Sequence, residues 1–139
     1  MQLACDGSEV VVRFPPYPAQ RLRENAEGTF ADDIEQNRRP PRYGVSVLAT
    51  QCREGETIED AVQRVCMDTG IGKRSKSVAV TTGARLREYG FDVVADPTSH
   101  EPRHHLVGED PFSALPDCDT LESLLKVRMQ NPAWNRSAA

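Results

Sequence analysis

The sequence predicts an α/β (or α+β) domain: a small mixed β-sheet of about five strands with two main helices packed on it. Three observations carry that expectation. A chain of 139 residues makes one ordinary domain and falls short of two. Tyr43–Ala49 (Y-G-V-S-V-L-A) is apolar on both sides, as an internal strand of a covered sheet must be. The stripe Ile58, Ala61, Val62, Val65 and Cys66, at i, i+3, i+4, i+7 and i+8, is one face of a helix leading to the apolar run Val78-Ala79-Val80. Strand–helix–strand is a right-handed crossover that sets two parallel strands in one sheet.

Taken in order, Glu9–Phe14 is β-branched and reads as the first strand, stopped by Pro15, Pro16 and Pro18, which cannot donate to a ladder. Ala19–Glu27 holds helix formers but only Leu22 and Ala26 as apolar anchors, enough for a short surface helix. Residues 28–42 are polar and closed by two prolines, which predicts a flexible loop docked at most by Phe30 and Ile34. Thr57 and Asp60 form a capping-box variant ahead of the amphipathic stripe, and Gly70 is placed to end that helix. Thr82 caps a short helix over Gly83–Tyr89. Phe91–Ala95 and His104–Val107 are strands of a hairpin spanning a proline-bounded loop. Asp119 with Glu122 predicts a last helix with Leu121, Leu124 and Leu125 on one face, ending at Asn131-Pro132. Residues 133–139 read as a flexible tail.

Composition narrows the function classes. With 38% hydrophobic residues and a mean hydropathy of −0.55, the core is modest and the connections are polar. A net charge of −4 argues against a nucleic-acid partner, because no global positive field exists to hold phosphates. The four cysteines are scattered without CxxC spacing, and the first residues lack the basic segment and apolar run of a leader. No run approaches the roughly 20 apolar residues of a membrane span. These features predict a reduced, cytoplasmic, soluble protein with no membrane partner and no cofactor.

Three groups of residues carry candidate chemistry. Thr81, Thr82, Gly83 and Arg85 form a strand end feeding a helix start, where backbone N–H groups and a guanidinium suit a phosphate. His104 or His105 would serve there as acid or base. His100, His104 and His105 form H-x3-H-H near Asp96 and Glu101, a possible metal set, although neighbouring strand positions point to opposite faces. Arg38, Arg39 and Arg42 precede one predicted parallel strand, and Lys73, Arg74 and Lys76 precede the other, so they converge at one sheet edge. Trp134 adds an aromatic anchor for a partner. Gly70-Ile71-Gly72-Lys73-Arg74 is no phosphate loop, since Met67 and Arg74 stand where that motif needs Gly and Ser or Thr.

The combination Y-G-V-S-V-L-A, T-T-G-A-R-L-R-E-Y-G-F, R-H-H-L-V-G and N-P-A-W points to no named family; it resembles small bacterial proteins in general, accessory components of multi-protein systems among them, and it implies no residue roles. The leading expectation is a non-enzymatic protein-interaction module, an accessory or regulatory subunit binding another protein through the basic edge and Trp134. The alternative is an enzyme or ligand-binding domain for a phosphate-bearing small molecule or nucleotide at Thr81-Thr82-Gly83. A second alternative is a metal-binding protein using the three histidines.

Overall fold

The computed structural model describes residues 3–69 and 72–134. Its elements are β1 (Val10–Arg13), α1 (Ala19–Glu35), β2 (Val45–Thr50), α2 (Ile58–Asp68), β3 (Ser77–Thr82), α3 (Gly83–Glu88), β4 (Asp92–Ala95), β5 (His104–Gly108), α4 (Cys118–Ser123) and β6 (Arg128–Gln130). The strands form one six-stranded sheet in the order β4-β5-β2-β1-β3-β6, and every neighbouring pair is antiparallel. The architecture is therefore α+β. The expected mixed sheet is corrected in one respect. β2 and β3 do run in the same direction, but β1 lies between them and pairs antiparallel with both. Its three valines are the reason: Val10, Val11 and Val12 are all fully buried, which only an internal strand covered on both faces permits.

Side-chain alternation sends β1 into two cores. Val11 joins Val47, Ala79, Leu22, Leu86, Leu121 and Leu125 on the face covered by α1, α3 and α4. Val10 and Val12 join Leu48, Val78 and Val80 under the α2 stripe, where Ile58, Ala61, Val62, Val65 and Cys66 are all buried. The α2 stripe and its capping box are as the spacing predicts: Thr57 Oγ1 accepts from the Asp60 N–H at 3.2 Å, and Asp60 Oδ2 accepts from the Thr57 N–H at 3.0 Å. Burial pushes the Cys66 thiol up to about 11, so it acts as a small core hydrophobe. The expected terminator Gly70 lies outside the described residues.

Four further expectations are corrected. Helix α1 does not stop near Glu27 but runs 17 residues to Glu35, so the segment expected as a loop from residue 28 begins as helix. Its anchors past Gly28 are tertiary: the Phe30 ring stacks on Tyr43 with centroids 4.1 Å apart, and the Thr29 hydroxyl donates to the Gly44 carbonyl at 2.8 Å. The last helix, α4, is capped by Asp117 rather than Asp119, with Asp117 Oδ1 accepting from the Thr120 N–H, and it ends at Ser123. The chain beyond it pairs with Ser77, Val78 and Ala79 as β6, a strand too short to show periodicity in sequence. The cysteines are not all reduced, since Cys5 and Cys52 form a disulfide while Cys66 and Cys118 remain free and buried. Cys5 precedes β1 and Cys52 follows β2, and the antiparallel register that pairs Val10 with Thr50 brings them to one sheet edge. Among the described residues no helix is long and apolar enough to cross a membrane.

Candidate functional site: a charged cleft beside α1

The hairpin is as expected, with β4 and β5 paired from Asp92–Gly108 to Ala95–His105. Beyond it the Asp96 N–H donates to the His104 carbonyl at 2.9 Å, so Asp96 and His104 face each other where the hairpin opens. His104 Nδ1 lies 2.9 Å from the Asp96 carbonyl oxygen and 3.2 Å from its Oδ2. Two acceptors at Nδ1 assign the ring proton there. Nε2, the other ring nitrogen, has no partner among the described residues.

Asp96 is held in turn. Its Oδ1 accepts from Arg42 Nη1 at 3.0 Å, and Arg42 grips Asp33 as a fork, Nε to Oδ2 at 2.8 Å and Nη2 to Oδ1 at 3.0 Å. The Arg42 backbone N–H adds a bond to Asp33 Oδ2 at 2.9 Å. Hydrogen bonds from Arg42, with its charge, hold the Asp33 carboxyl below the usual carboxylate range. The Asp33 bonds likewise raise Arg42. Asp33 is 5% exposed and sits on the stripe of α1 three turns after Leu22, at spacing i+11. A buried carboxylate needs such a partner. Gly44 makes the geometry possible: a Cβ there would come within 2.9 Å of Leu106 Cβ, so only glycine lets this segment lie against β5.

The chain Asp33–Arg42–Asp96–His104 lines a polar cleft of about 500 Å³ whose other walls include Thr29 and Asp32 of α1, its C-cap Gln36, Arg38, Ser46 and Thr98. A smaller pocket of about 110 Å³ adjoins it, sharing Ser46 and His104. Proton exchange at His104 Nε2 and recognition of a polar ligand by opposed charges are what this arrangement can do.

The other expected sites are placed as follows. Thr81 is fully buried. Thr82 caps α3, its Oγ1 accepting from the Arg85 N–H at 3.2 Å, and Arg85 leans over the Tyr89 ring. The Gly83 N–H is taken by the Glu9 carbonyl at 2.8 Å and the Ala84 N–H by Ser8 Oγ at 2.9 Å. A Cβ on Gly83 would run into the Glu9 carboxylate, which itself pairs with Arg87. The donors that a phosphate would need are thus used by the chain itself. Nor do the histidines reach that turn, because β1 and β2 separate β3 from β5, about 14 Å at the usual strand spacing.

His104 and His105 pair with Leu48 and Val47, residues of opposite cores, and so face opposite sides. His105 Nδ1 turns back to the Arg103 carbonyl at 2.7 Å, and His100 is exposed. Among the described residues no three metal-ligating side chains gather. The starts of β2 and β3 do share an edge, as the common direction requires, but Arg42 is withdrawn from it into the cleft. Arg38, Arg39, Lys73, Arg74 and Lys76 are exposed, and Lys76 Nζ stands 5.1 Å from the Trp134 ring centroid. Sequence reasoning missed Asp33, Ser46 and Arg13. For Asp33 a signal existed, since Leu22, Ala26, Thr29 and Asp33 complete one helical stripe when a polar residue is allowed on it.

Compared with protein-family models, curated proteins and solved structures, the chain matches none. Its functional reading rests on geometry.

Proposed function

We propose that the chain is a small-molecule-binding domain whose site is the cleft beside α1, with His104 as its proton-accepting group. The observation that carries this reading is the relay Asp33–Arg42–Asp96–His104, which ends in an unpartnered imidazole nitrogen at a cleft of about 500 Å³. The volume suits a ligand of metabolite size. Opposed Arg and Asp groups suit a polar one, and Nε2 accepts a proton from a hydroxyl or ammonium group placed against it. The threonine turn takes no part, because its donors are spent on capping.

Thermal shift against phosphate esters, nucleotides, amino acids, organic acids and sugars tests it. A true ligand at 100 times its Kd adds about 2.7 kcal/mol of stability. That gain should fall away in His104→Gln, and melting curves that stay flat across the panel overturn the reading.

A second reading, a face for an acidic protein partner, is supported by exposed Lys73 and Arg74 beside the Lys76–Trp134 stack. It predicts that Lys73→Glu with Arg74→Glu abolishes co-purification of such a partner. Capture unaffected by the double reversal would remove it.

A further inference from the structure

Where β1 leaves the sheet, a buried positive charge stands without a negative one. Pro15 and Pro16 turn the chain away after Arg13, so Ser46 of β2 has no ladder partner on that side. Side chains take over: Asn25 Oδ1 accepts from the Ser46 N–H at 2.7 Å, and Arg13 Nη1 donates to the Ser46 carbonyl at 2.8 Å. Arg13 Nη2 donates to the Pro16 carbonyl at 3.2 Å, and Nε has no partner. Arg13 is 7% exposed, and no described carboxylate lies within ion-pair distance of it. Arginine is seldom buried unless paired, because neutral carbonyls satisfy its hydrogens but leave its charge uncompensated. Burial correspondingly lowers the pKa of this guanidinium.

Arg13 lines the pocket of about 110 Å³ that adjoins the cleft, together with Ser46, His104 and the apolar Val12, Phe14 and Leu48. That is room for several water-sized groups. The lining is apolar apart from Arg13, Ser46 and the shared His104. A phosphate would find one arginine and little else to bond its remaining oxygens. A carboxylate offers a single planar pair of acceptors and an apolar stem for the walls. We propose that this pocket is a carboxylate subsite: Arg13 supplies the counter-charge for a short aliphatic carboxylate head, and the rest of the ligand extends past His104 into the cleft. This rests on the cleft being the ligand site, since Ser46 and His104 belong to both.

The test follows the Arg13 Nε–H resonance of the full ¹⁵N-labelled chain, assigned with Arg13→Lys, during titration with propionate, propionamide and inorganic phosphate at constant ionic strength. A saturable shift with propionate, absent with propionamide and weaker with phosphate, is expected. Loss of a charge-assisted pair predicts an affinity about tenfold lower in Arg13→Met. Where that variant does not fold, the wild-type titration decides alone. No saturable propionate shift, or an equal response to the amide or to phosphate, overturns the subsite. A panel ligand that binds through His104 while propionate leaves Arg13 unmoved removes the subsite and keeps the cleft. Propionate binding with a flat polar panel keeps the subsite and removes the cleft.

Discussion

The two ends of β1 were built to opposite ends. At Glu9 the chain takes up its own polar groups: the carbonyl takes the Gly83 N–H, the carboxylate takes both Nη groups of Arg87, and Ser8 takes the Ala84 N–H. The Cys5–Cys52 bond ties the same segment to the end of β2. At Arg13 the prolines strip the ladder away, and the repair by Asn25 and Arg13 leaves a charge and an N–H donor over. Both ends carry arginine, serine and backbone donors in sequence-similar company. What separates them is bonding capacity that the chain does not use, and a site needs that surplus.

Disturbing the open end at its support should cost most. Asp33→Ala leaves Arg42 half paired beside a buried helix stripe and is expected to lose about 3 kcal/mol, read by urea unfolding. The same residue shapes the acid response. Bonds from Arg42 depress its carboxyl below the ordinary 3.8, so the stabilisation is whole above that value and disappears as pH falls through the lower folded one. Stability measured from pH 5 to 2 should therefore fall less steeply in Asp33→Ala than in wild type. An identical slope would show that Asp33 is not the group being protonated.

Of comparable size is the closed end. Cys52→Ser frees a loop of 47-residue separation and should cost about 2–4 kcal/mol, with faster amide exchange at Gly83 and Ala84 as the N-terminal segment loosens. Thr82→Ala removes one cap and should cost about 1 kcal/mol, with ligand binding at the cleft unchanged. Smallest on stability is His104→Gln, within about 0.5 kcal/mol because the ring is partly exposed. Its effect belongs instead to ligand affinity and its pH profile, measured by calorimetry between pH 5 and 8. If Thr82→Ala and His104→Gln alter binding equally, the contrast between the two ends fails.

Legibility in the sequence followed the range of the forces involved. Helix α2, the strands β2 and β3, and the β4–β5 hairpin showed because apolar periodicity and turn residues are local signals. The second half of α1 did not, since Asp33 occupies a stripe position where its partner Arg42 makes a carboxylate tolerable. β6 is three residues, Arg128, Met129 and Gln130, placed by β3 rather than by any pattern of its own. Of the site, His104 and Arg42 were visible as residue types, and Asp96 as a neighbour of the histidines. Their convergence was not, because it needs Gly44 to press the segment before β2 onto β5. Arg13 looked like one more charge on a strand, and its meaning appears only with the gap in the ladder at Ser46.

The place of β1 has a kinetic consequence. Val10–Arg13 pairs with β2 about 40 positions away and with β3 about 70 away, and it alone joins β4-β5-β2 to β3-β6. Neither half of the sheet is a complete folding unit, because each would expose an unpaired edge where β1 belongs. Assembly must then wait for long-range loop closure on both sides of one short valine strand, so folding should be slow for a domain of this size and highly cooperative once that strand is seated.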